Sequence, residues 1–565
     1  MRKLACATLA PCDSFVSSLF HSHLAAVWKL KPTDESAAQA LAAGLEISTA
    51  LARVLVPRGV RTAEQARRFL KPGLSDLHPA GDLPGIDRAV GCIRDAIRNR
   101  EPILVWGHED LDGVSAVVCL RETIEDLHGI TAHYIPPKGK GRHGLNPAKL
   151  KEFYGQGIRQ VVTVDCGITN LAETIETQKL GMAVIITDHH EVLDELPLAT
   201  AVVNPKRADA RYPFRDLAGV GVALKLALAL AREMVGVTPE EFFSAKPEML
   251  TLAALGSIAD RVALVDENRV LVRHGLEQMR RSRLAAVQAV LETAGIGPGE
   301  LTVRRFVYDL LPLFASANGN AGVEMFLNGD REAARKWSQD LWNQYQAWRE
   351  EARITFERAE RFLDLAPGIV FVRSDELSLR ALGHCASRLK EQYLLPVCVL
   401  GRRDNDWVGE CRGVDGVDLV AMLKAHAHYF LDYGGHRKAC GFTVPDEKVE
   451  AFLNDAKTYA ARHFVGRITE SSEREADALV GLSEITDDFR ALAPSGEGNP
   501  EPLLVSLNTP LRRRGAEICS PAAPGLRILE DGAAPGEPGD YDVLYSLDDN
   551  LNVRLNKLER VTPAC

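Results

Sequence analysis

The chain has 565 residues, 46% of them hydrophobic and 25% charged, with a formal net charge of −10. At ~150 residues per domain, this length predicts about three or four domains of ordinary globular composition. The acidic balance argues against a protein that coats polyanions indiscriminately, and no apolar run approaches the ~18–20 residues that span a bilayer.

Residues 1–32 open with Arg2-Lys3 before a short apolar patch, the outline of a secretion signal. The patch sits at the lower length limit and no clean cleavage site follows, so the segment reads as an N-terminal extension of a cytoplasmic protein. Eleven cysteines are scattered without a CxxC pair. Cys119, Cys398 and Cys440 stand in apolar contexts and read as reduced core thiols. From about 33 to 100 the chain is Ala-rich, and amphipathic spacing around Leu51, Val54 and Leu55, then from Ala63 to Leu70, predicts helices.

From about 101 to 205 strands and helices alternate, the pattern of a parallel α/β sheet. Three apolar runs there end in chemistry. Ile103-Leu104-Val105-Trp106 leads to His108, Asp110 and Asp112. Val161-Val162-Thr163-Val164 leads to Asp165-Cys166-Gly167. Ala183-Val184-Ile185-Ile186 leads to Thr187-Asp188-His189-His190. Acids and imidazoles at strand exits are expensive to desolvate and useless for packing unless they hold a metal. Ligands also gather at the carboxyl ends of parallel strands. Asp110 and Asp112, two apart, can approach one cation on an extended turn. Asp260 ends the run Leu255-Gly256-Ser257-Ile258-Ala259, where an unpaired carboxylate is out of place. These mixed oxygen and nitrogen donors suit Mn²⁺ or Mg²⁺, with imidazole favouring Mn²⁺. Two such ions can grip a phosphodiester, activate a water and stabilise the leaving oxygen.

Residues 217–236 and 246–296 read as helices. Leu341, Tyr345, Trp348, Ala352, Phe356, Ala359 and Leu363 then recur at spacings of three and four. They predict one long amphipathic helix from Arg331 to about Leu363, a connector stopped by Pro367-Gly368. A second α/β region follows over 368–464. Residues 465–565 are richer in Pro and Gly, with short β-like runs at 503–507, 543–547 and 552–555, and predict a small β-barrel or sandwich. Basic clusters stand at 138–143, Arg402-Arg403, Arg437-Lys438 and Arg512-Arg513-Arg514.

In this order, Asp110-Leu111-Asp112, Val164-Asp165-Cys166-Gly167, Thr187-Asp188-His189-His190 and Gly256-Ser257-Ile258-Ala259-Asp260 resemble the DHH phosphoesterases. Within them they resemble the RecJ family of single-strand-specific 5′→3′ DNA exonucleases. Stretches 201–206 and 217–223 are similar to that family, as are 55–60 with Phe69-Leu70-Lys71-Pro72. Residues Gly434-Gly435-His436 to Gly441-Phe442 resemble the signature of the DHH-associated domain. Gly498-Asn499-Pro500-Glu501-Pro502 resembles the turn that leads into an OB-fold. The likeness covers roughly residues 30 to 560.

The resemblance implies an α/β protein. A parallel-sheet DHH domain with an N-terminal helical part (33–330) is joined by a long helix (331–367) to a DHH-associated α/β domain (368–464), followed by a C-terminal OB-like β-barrel (465–565). It implies two divalent ions, Mn²⁺ or Mg²⁺, held by Asp110, Asp112, Asp165, His189 and Asp260, with Asp188 and His108 as additional ligands. It implies that His190 either orients or protonates near the scissile phosphate, with Asp165 and His189 also in the catalytic set. Arg412 and His436 are implied to face nucleic-acid phosphates, with contacts from Gly434, Gly435, Ser387, Arg388 and Arg142. The implied activity is hydrolysis of single-stranded DNA from the 5′ end to mononucleotides, in repair and recombination. A cytoplasmic monomer would carry it out beside single-strand-binding protein and a helicase.

The chain departs from that pattern in places. His108 stands where the motif opens with an aspartate, 314–322 lacks the expected arginine, and 138–145 offers Arg142-His143-Gly144 instead of a GYG sequence. Two other readings stay open: a phosphodiesterase for oligoribonucleotides or cyclic dinucleotides, and an inactive DHH scaffold. A scaffold predicts eroded ligands, yet Asp110, Asp112, Asp165, Asp188, His189, His190 and Asp260 all stand.

Overall fold

The computed structural model describes residues 28–137, 144–192, 195–314, 319–467, 475–530 and 533–561. The chain divides into two compact units. Among the described residues, one comprises Lys31–Trp342 with 476–561, the other 343–475 with 28–30.

In the first unit five strands form a sheet: β1 (Pro102–Trp106), β2 (Ile130–Tyr134), β3 (Gln160–Val164), β4 (Ala183–Thr187) and β5 (Ala201–Val203). All pairings are parallel and the order is β2-β1-β3-β4-β5. The β-branched run of β3 is buried along its whole length, as a parallel sheet covered on both faces requires. Strand order reverses between β1 and β3, since β1 crosses to β2 on one side while β3 and β4 build out on the other. Such a reversal opens a crevice at the carboxyl ends of the flanking strands. Helices α1 (Leu111–Asp126), α2 (Gly219–Val235) and α3 (Glu248–Ala259) pack on one another beside it. Residues Met249 to Ile258 of α3 are all buried, and a helix apolar around its circumference is stable only in such a place.

The C-terminal part of this unit is a closed five-stranded barrel. Strands Leu503–Arg514, Glu517–Cys519, Ile528–Glu530, Val553–Arg560 and Gly539–Leu547 pair in that order, and the last returns to the first. Closure leaves no free edge. The three short β-like runs of the sequence are thus parts of longer strands. Barrel residues Leu504, Val543 and Tyr545 share one core with Leu51, Val54 and Leu55 of the N-terminal helices. Two regions more than 400 positions apart therefore bury each other's apolar faces.

Arg269 fastens this join. It is 1% exposed, and its guanidinium donates to the carbonyl oxygens of Phe69, Ala491, Leu492, Ala493 and Pro494. The same group lies 4.0 Å from the centroid of the Phe69 ring.

In the second unit six strands pair in the order Asp432–His436, Ala439–Pro445, Asp406–Arg412, Val397–Arg403, Ile369–Ser374 and Leu363–Ala366. The long helix is Arg331–Ala359, about 43 Å at ~1.5 Å per residue, and the division between units falls within it. It stops earlier than its apolar spacing predicts. After a short 3₁₀ turn, Leu363–Ala366 is an edge strand that reverses at Pro367-Gly368 and pairs antiparallel with Ile369–Ser374. Gly368 takes φ +84° there, a conformation that side chains resist. Cys119, Cys398 and Cys440 are free and buried. Among the described residues no helix is long and apolar enough to cross a membrane.

Replacing Arg269 by Met orphans carbonyl groups on two segments, Phe69 and 491–494. The expected loss is ~3 kcal/mol or more of unfolding free energy. Lys restores little of it, having no planar fork. Denaturant titration of both variants checks this, and a Met variant as stable as the parent would contradict it.

Candidate metal centre

The loops that leave β1, β3 and β4 converge with the end of α3. Asp110 caps α1, its carboxylate accepting from Gly113 N at 2.9 Å. Asp112 sits in the first turn of α1 and is 1% exposed. Its oxygens accept from Gly219 N at 2.7 Å and Val220 N at 2.9 Å, the amino end of α2. Asp165 follows β3 with φ +58° and is 2% exposed. Asp260 terminates α3, where the helix dipole disfavours an acid.

His189 Nε2 lies 3.2 Å from Asp165 Oδ1 and 3.6 Å from Asp260 Oδ2. His108 Nδ1 lies 3.0 Å from Asp110 Oδ2 and 3.8 Å from Asp165 Oδ2. Three sets offer ligand atoms within 4.8 Å of one another: Asp165 with His189 and His190, His108 with Asp110 and Asp165, and Asp112 with His189 and Asp260.

The glycines of these motifs explain how carboxylates approach helices so closely. A Cβ on Gly219 would lie 2.5 Å from Asp165 Oδ1, and one on Gly256 would lie 2.4 Å from Asp112 Oδ1. Sequence reading missed both roles. The available signal was a glycine inside the otherwise apolar α3, where it costs about 1 kcal/mol against Ala.

The electrostatics call for a cation. Burial, then Asp260 and Asp110, pushes the Asp112 carboxyl up to about 8. Burial, then Asp112 and Asp110, holds Asp165 well above the carboxylate range. Burial and Asp110 push Asp260 up to about 6. His189 is driven the other way, to about 4, by burial and by His190, so its imidazole is neutral near pH 7 and free to ligate. Asp165 Oδ1 and His189 Nε2 are buried and complete no hydrogen bond among the described residues. Such a donor set, with crowded buried carboxyls that resist ionisation and a neutral imidazole beside them, fits a divalent ion with both oxygen and nitrogen ligands.

Asp188 is placed differently. Its Oδ1 accepts from His189 N, His190 N and His190 Nδ1, and its Oδ2 from Ile168 N. It is in none of the three sets whose ligand atoms lie within 4.8 Å of one another, and its four hydrogen bonds brace the loop. Burial opposes its ionisation, but the His190 ring and the backbone donors outweigh that and keep its pKa low. In return Asp188 raises the pKa of His190, whose ring is on the exposed rim. Asn204 Nδ2 donates to His190 O at 3.0 Å and steadies the same loop. Lys206, 3.1 Å from Glu191, adds a positive charge felt by His189 and Asp260. The sequence reading had passed over its charge.

In the second unit Arg412 pairs across the strands with Ala439, and Ala439 with His436, so the three side chains share one face of the sheet. Glu410, Gly441 and Gly434 form the next row. Arg412 Nη1 donates to Glu410 Oε2 at 2.9 Å. Gly435 takes φ +128°, and a Cβ on it would meet Ala439 O at 2.5 Å, so this edge strand hugs its partner. Ser387 Oγ donates to Gly383 O, and the Arg388 guanidinium lies over the Phe356 ring at 4.0 Å. Arg142 lies outside the described residues, as does 315–318 of the tract that lacks an arginine. Asn320 from that tract closes two hydrogen bonds with the backbone of Ile135. Phe489, Tyr541 and Tyr545, the aromatic residues of 465–565, are all buried, so none presents a stacking platform.

Residues 102–257 match the model of the DHH family, N-terminal domain, and 367–462 that of the DHHA1 domain. The chain is 30% identical over 483 residues to the single-stranded-DNA-specific exonuclease RecJ of Dickeya dadantii, covering 80% of this chain and 82% of that protein. It is 30% identical over 501 residues to the Bacillus subtilis enzyme of the same name, covering 86% of this chain and 62% of that one. It thus spans less than two thirds of the latter's length. The crystal structure of RecJ in complex with Mn²⁺ from Thermus thermophilus matches with a TM-score of 0.75 at 26% identity, over 94% of this chain and 79% of that one.

The raised acids make metal-free stability depend on pH. Their folded pKa values exceed the unfolded 3.8, reaching about 6 at Asp260 and about 8 at Asp112. The contribution of these groups is therefore full below about pH 4 and lost as pH rises through 6 to 8. A bound cation reverses that loss by favouring the ionised forms. Thermal melting with and without Mn²⁺ should show a larger metal-induced rise at about pH 8.5 than at about pH 5.5. A rise independent of pH would contradict the assignment.

Proposed function

This chain belongs to the RecJ family of DHH phosphoesterases, and we propose that it is a metal-dependent exonuclease hydrolysing single-stranded DNA from the 5′ end to mononucleotides. The observation that carries this reading is the convergence of Asp110, Asp112, Asp165, His189 and Asp260 at the strand-order reversal of a parallel sheet. These residues would hold two Mn²⁺ or Mg²⁺ ions. When bound, such ions polarise the scissile phosphodiester and activate the attacking water.

The remaining steps belong to the protein. His190 keeps its Nδ1 on Asp188 at 2.7 Å, which fixes the ring and favours its charged form. Its Nε2 is then a donor for a phosphate oxygen or a proton source for the leaving oxygen. Arg412 and His436 flank a row floored by Ala439, with Gly434 and Gly441 beside it. Small residues there allow a phosphate to approach the backbone, and a guanidinium grips phosphate bidentately. In this reading the barrel holds its strand through charge rather than stacking, with Arg512 and Arg514 exposed on its longest strand and Arg513 tied to Glu530. The enzyme serves DNA repair and recombination as a cytoplasmic monomer, fed with single strands by a helicase and working beside single-strand-binding protein. No ligand in the cluster is eroded, as an inactive scaffold would require.

The test is loss of 5′-phosphorylated, 3′-labelled single-stranded DNA in Mn²⁺, Mg²⁺ and EDTA, beside duplex, 5′-blocked and dinucleotide controls. Metal-dependent loss restricted to single strands with an accessible 5′ end is expected. Asp165→Asn should abolish it with the melting temperature held or raised, because Asn tolerates the φ +58° backbone and relieves charge repulsion. Preference for the dinucleotide, or full activity in the variant, would overturn the reading. Arg412→Ala should raise KM more than it lowers kcat and flatten the salt dependence by about one phosphate contact.

A further inference from the structure

Two of the three ligand sets share no residue. One is Asp112, His189 and Asp260, and the other is His108, Asp110 and Asp165. Each contains two carboxylates and one imidazole. Asp165 joins them, its Oδ1 facing His189 at 3.2 Å and its Oδ2 facing His108 at 3.8 Å. A carboxylate with one oxygen toward each set is placed to bridge two cations. His108 is held where it stands by the first turn of α1, since a Cβ on Gly113 would lie 2.5 Å from His108 O and 2.7 Å from its Cβ. Its ring nitrogen therefore reaches Asp110 and Asp165 from a fixed backbone.

From this geometry we propose that His108 is a metal ligand, giving the second cation position a nitrogen donor to match the one His189 gives the first. The consequence concerns selectivity. Mg²⁺ takes an oxygen shell and keeps its waters, whereas Mn²⁺ accepts imidazole readily. An aspartate at 108 would leave one position all-oxygen and serviceable for Mg²⁺. With histidine, both positions favour Mn²⁺. The inference rests on the metal centre of the proposed function but concerns which ion it selects.

The experiment uses the full-length chain stripped with EDTA, the ions alone as probes, and electron paramagnetic resonance of Mn²⁺ with detection of nitrogen coupling. In the parent protein the first and second equivalents of Mn²⁺ should each show a coupled imidazole nitrogen. His108→Asn should remove the coupling from one of them and weaken that ion on the order of tenfold. His108→Asp should lower the Mn²⁺ to Mg²⁺ affinity ratio by a similar factor, with circular dichroism confirming the fold. A second equivalent without nitrogen coupling in the parent, or coupling and selectivity unchanged in both variants, would overturn the proposal. Degradation of single-stranded DNA by the parent is scored separately. Its absence with both nitrogen-coupled ions bound would sink the exonuclease reading and leave this assignment standing.

Discussion

Like charges that cannot escape one another organise this protein. Asp112 and Asp165 are almost wholly removed from water, with Asp110 and Asp260 beside them. Two carboxylates about 4 Å apart repel by about 4 kcal/mol at an effective dielectric of 20, before any penalty for desolvation. The fold offsets part of this. The amino ends of α1 and α2 point N–H groups at Asp110 and Asp112, and glycines at 219 and 256 let the helices close in. What the backbone leaves uncompensated is the work of a cation, and the neutral imidazole of His189 is the complementary donor.

Adjacent histidines illustrate how environment divides labour. His189 and His190 have ring centroids 4.5 Å apart, yet their protonation is driven in opposite directions. His189 is buried among acids that must share a metal, so it stays neutral. His190 is on the rim with its Nδ1 on an ionised Asp188, which raises its pKa and favours the charged form. Two residues of one kind are thus pushed toward opposite protonation states, the pattern that separates acid and base roles among titratable neighbours.

Much of the centre was legible because each strand announces itself by an apolar run and each run ends in a residue with no packing value. The parallel sheet and the positions of Asp110, Asp112, Asp165 and His189 follow from that contrast, while the long helix follows from apolar spacings of three and four and the barrel from short β-like runs in a Pro- and Gly-richer tail. Periodicity could not show where α-helical hydrogen bonding yields to a strand pair, so Leu363 was placed on the helix although it lies on a strand. Motif reading also treats neighbouring acids alike. Asp188 looks like the other acids in the sequence, but in the fold four hydrogen bonds tie its carboxylate to one local loop, three of them on Oδ1, and only the folded loop reveals that bracing. The pairing of Arg412 with Glu410 was equally hidden, since residues two apart on a strand share a face only once the strand is known.

The shared core of the barrel and the N-terminal helices has a consequence at the metal centre. The turn that leads into the barrel, Glu497 to Pro500, packs on the loop that follows Asp260. Leu264 N donates to Glu497 O at 2.7 Å, and a Cβ on Gly498 would lie 2.8 Å from Ala263 Cβ. Asn499 closes the turn by donating to Leu492 O and Pro494 O while accepting from Arg58. Arg269 draws the same carbonyl-rich stretch onto the helical layer. A ligand at a helix C-terminus is poorly anchored by its own helix, because the last carbonyls repel it and the chain frays there. The barrel supplies the missing anchor from outside. The barrel's leading turn thus fixes the backbone just after Asp260, so a segment at the far end of the chain bears on the position of one candidate ligand.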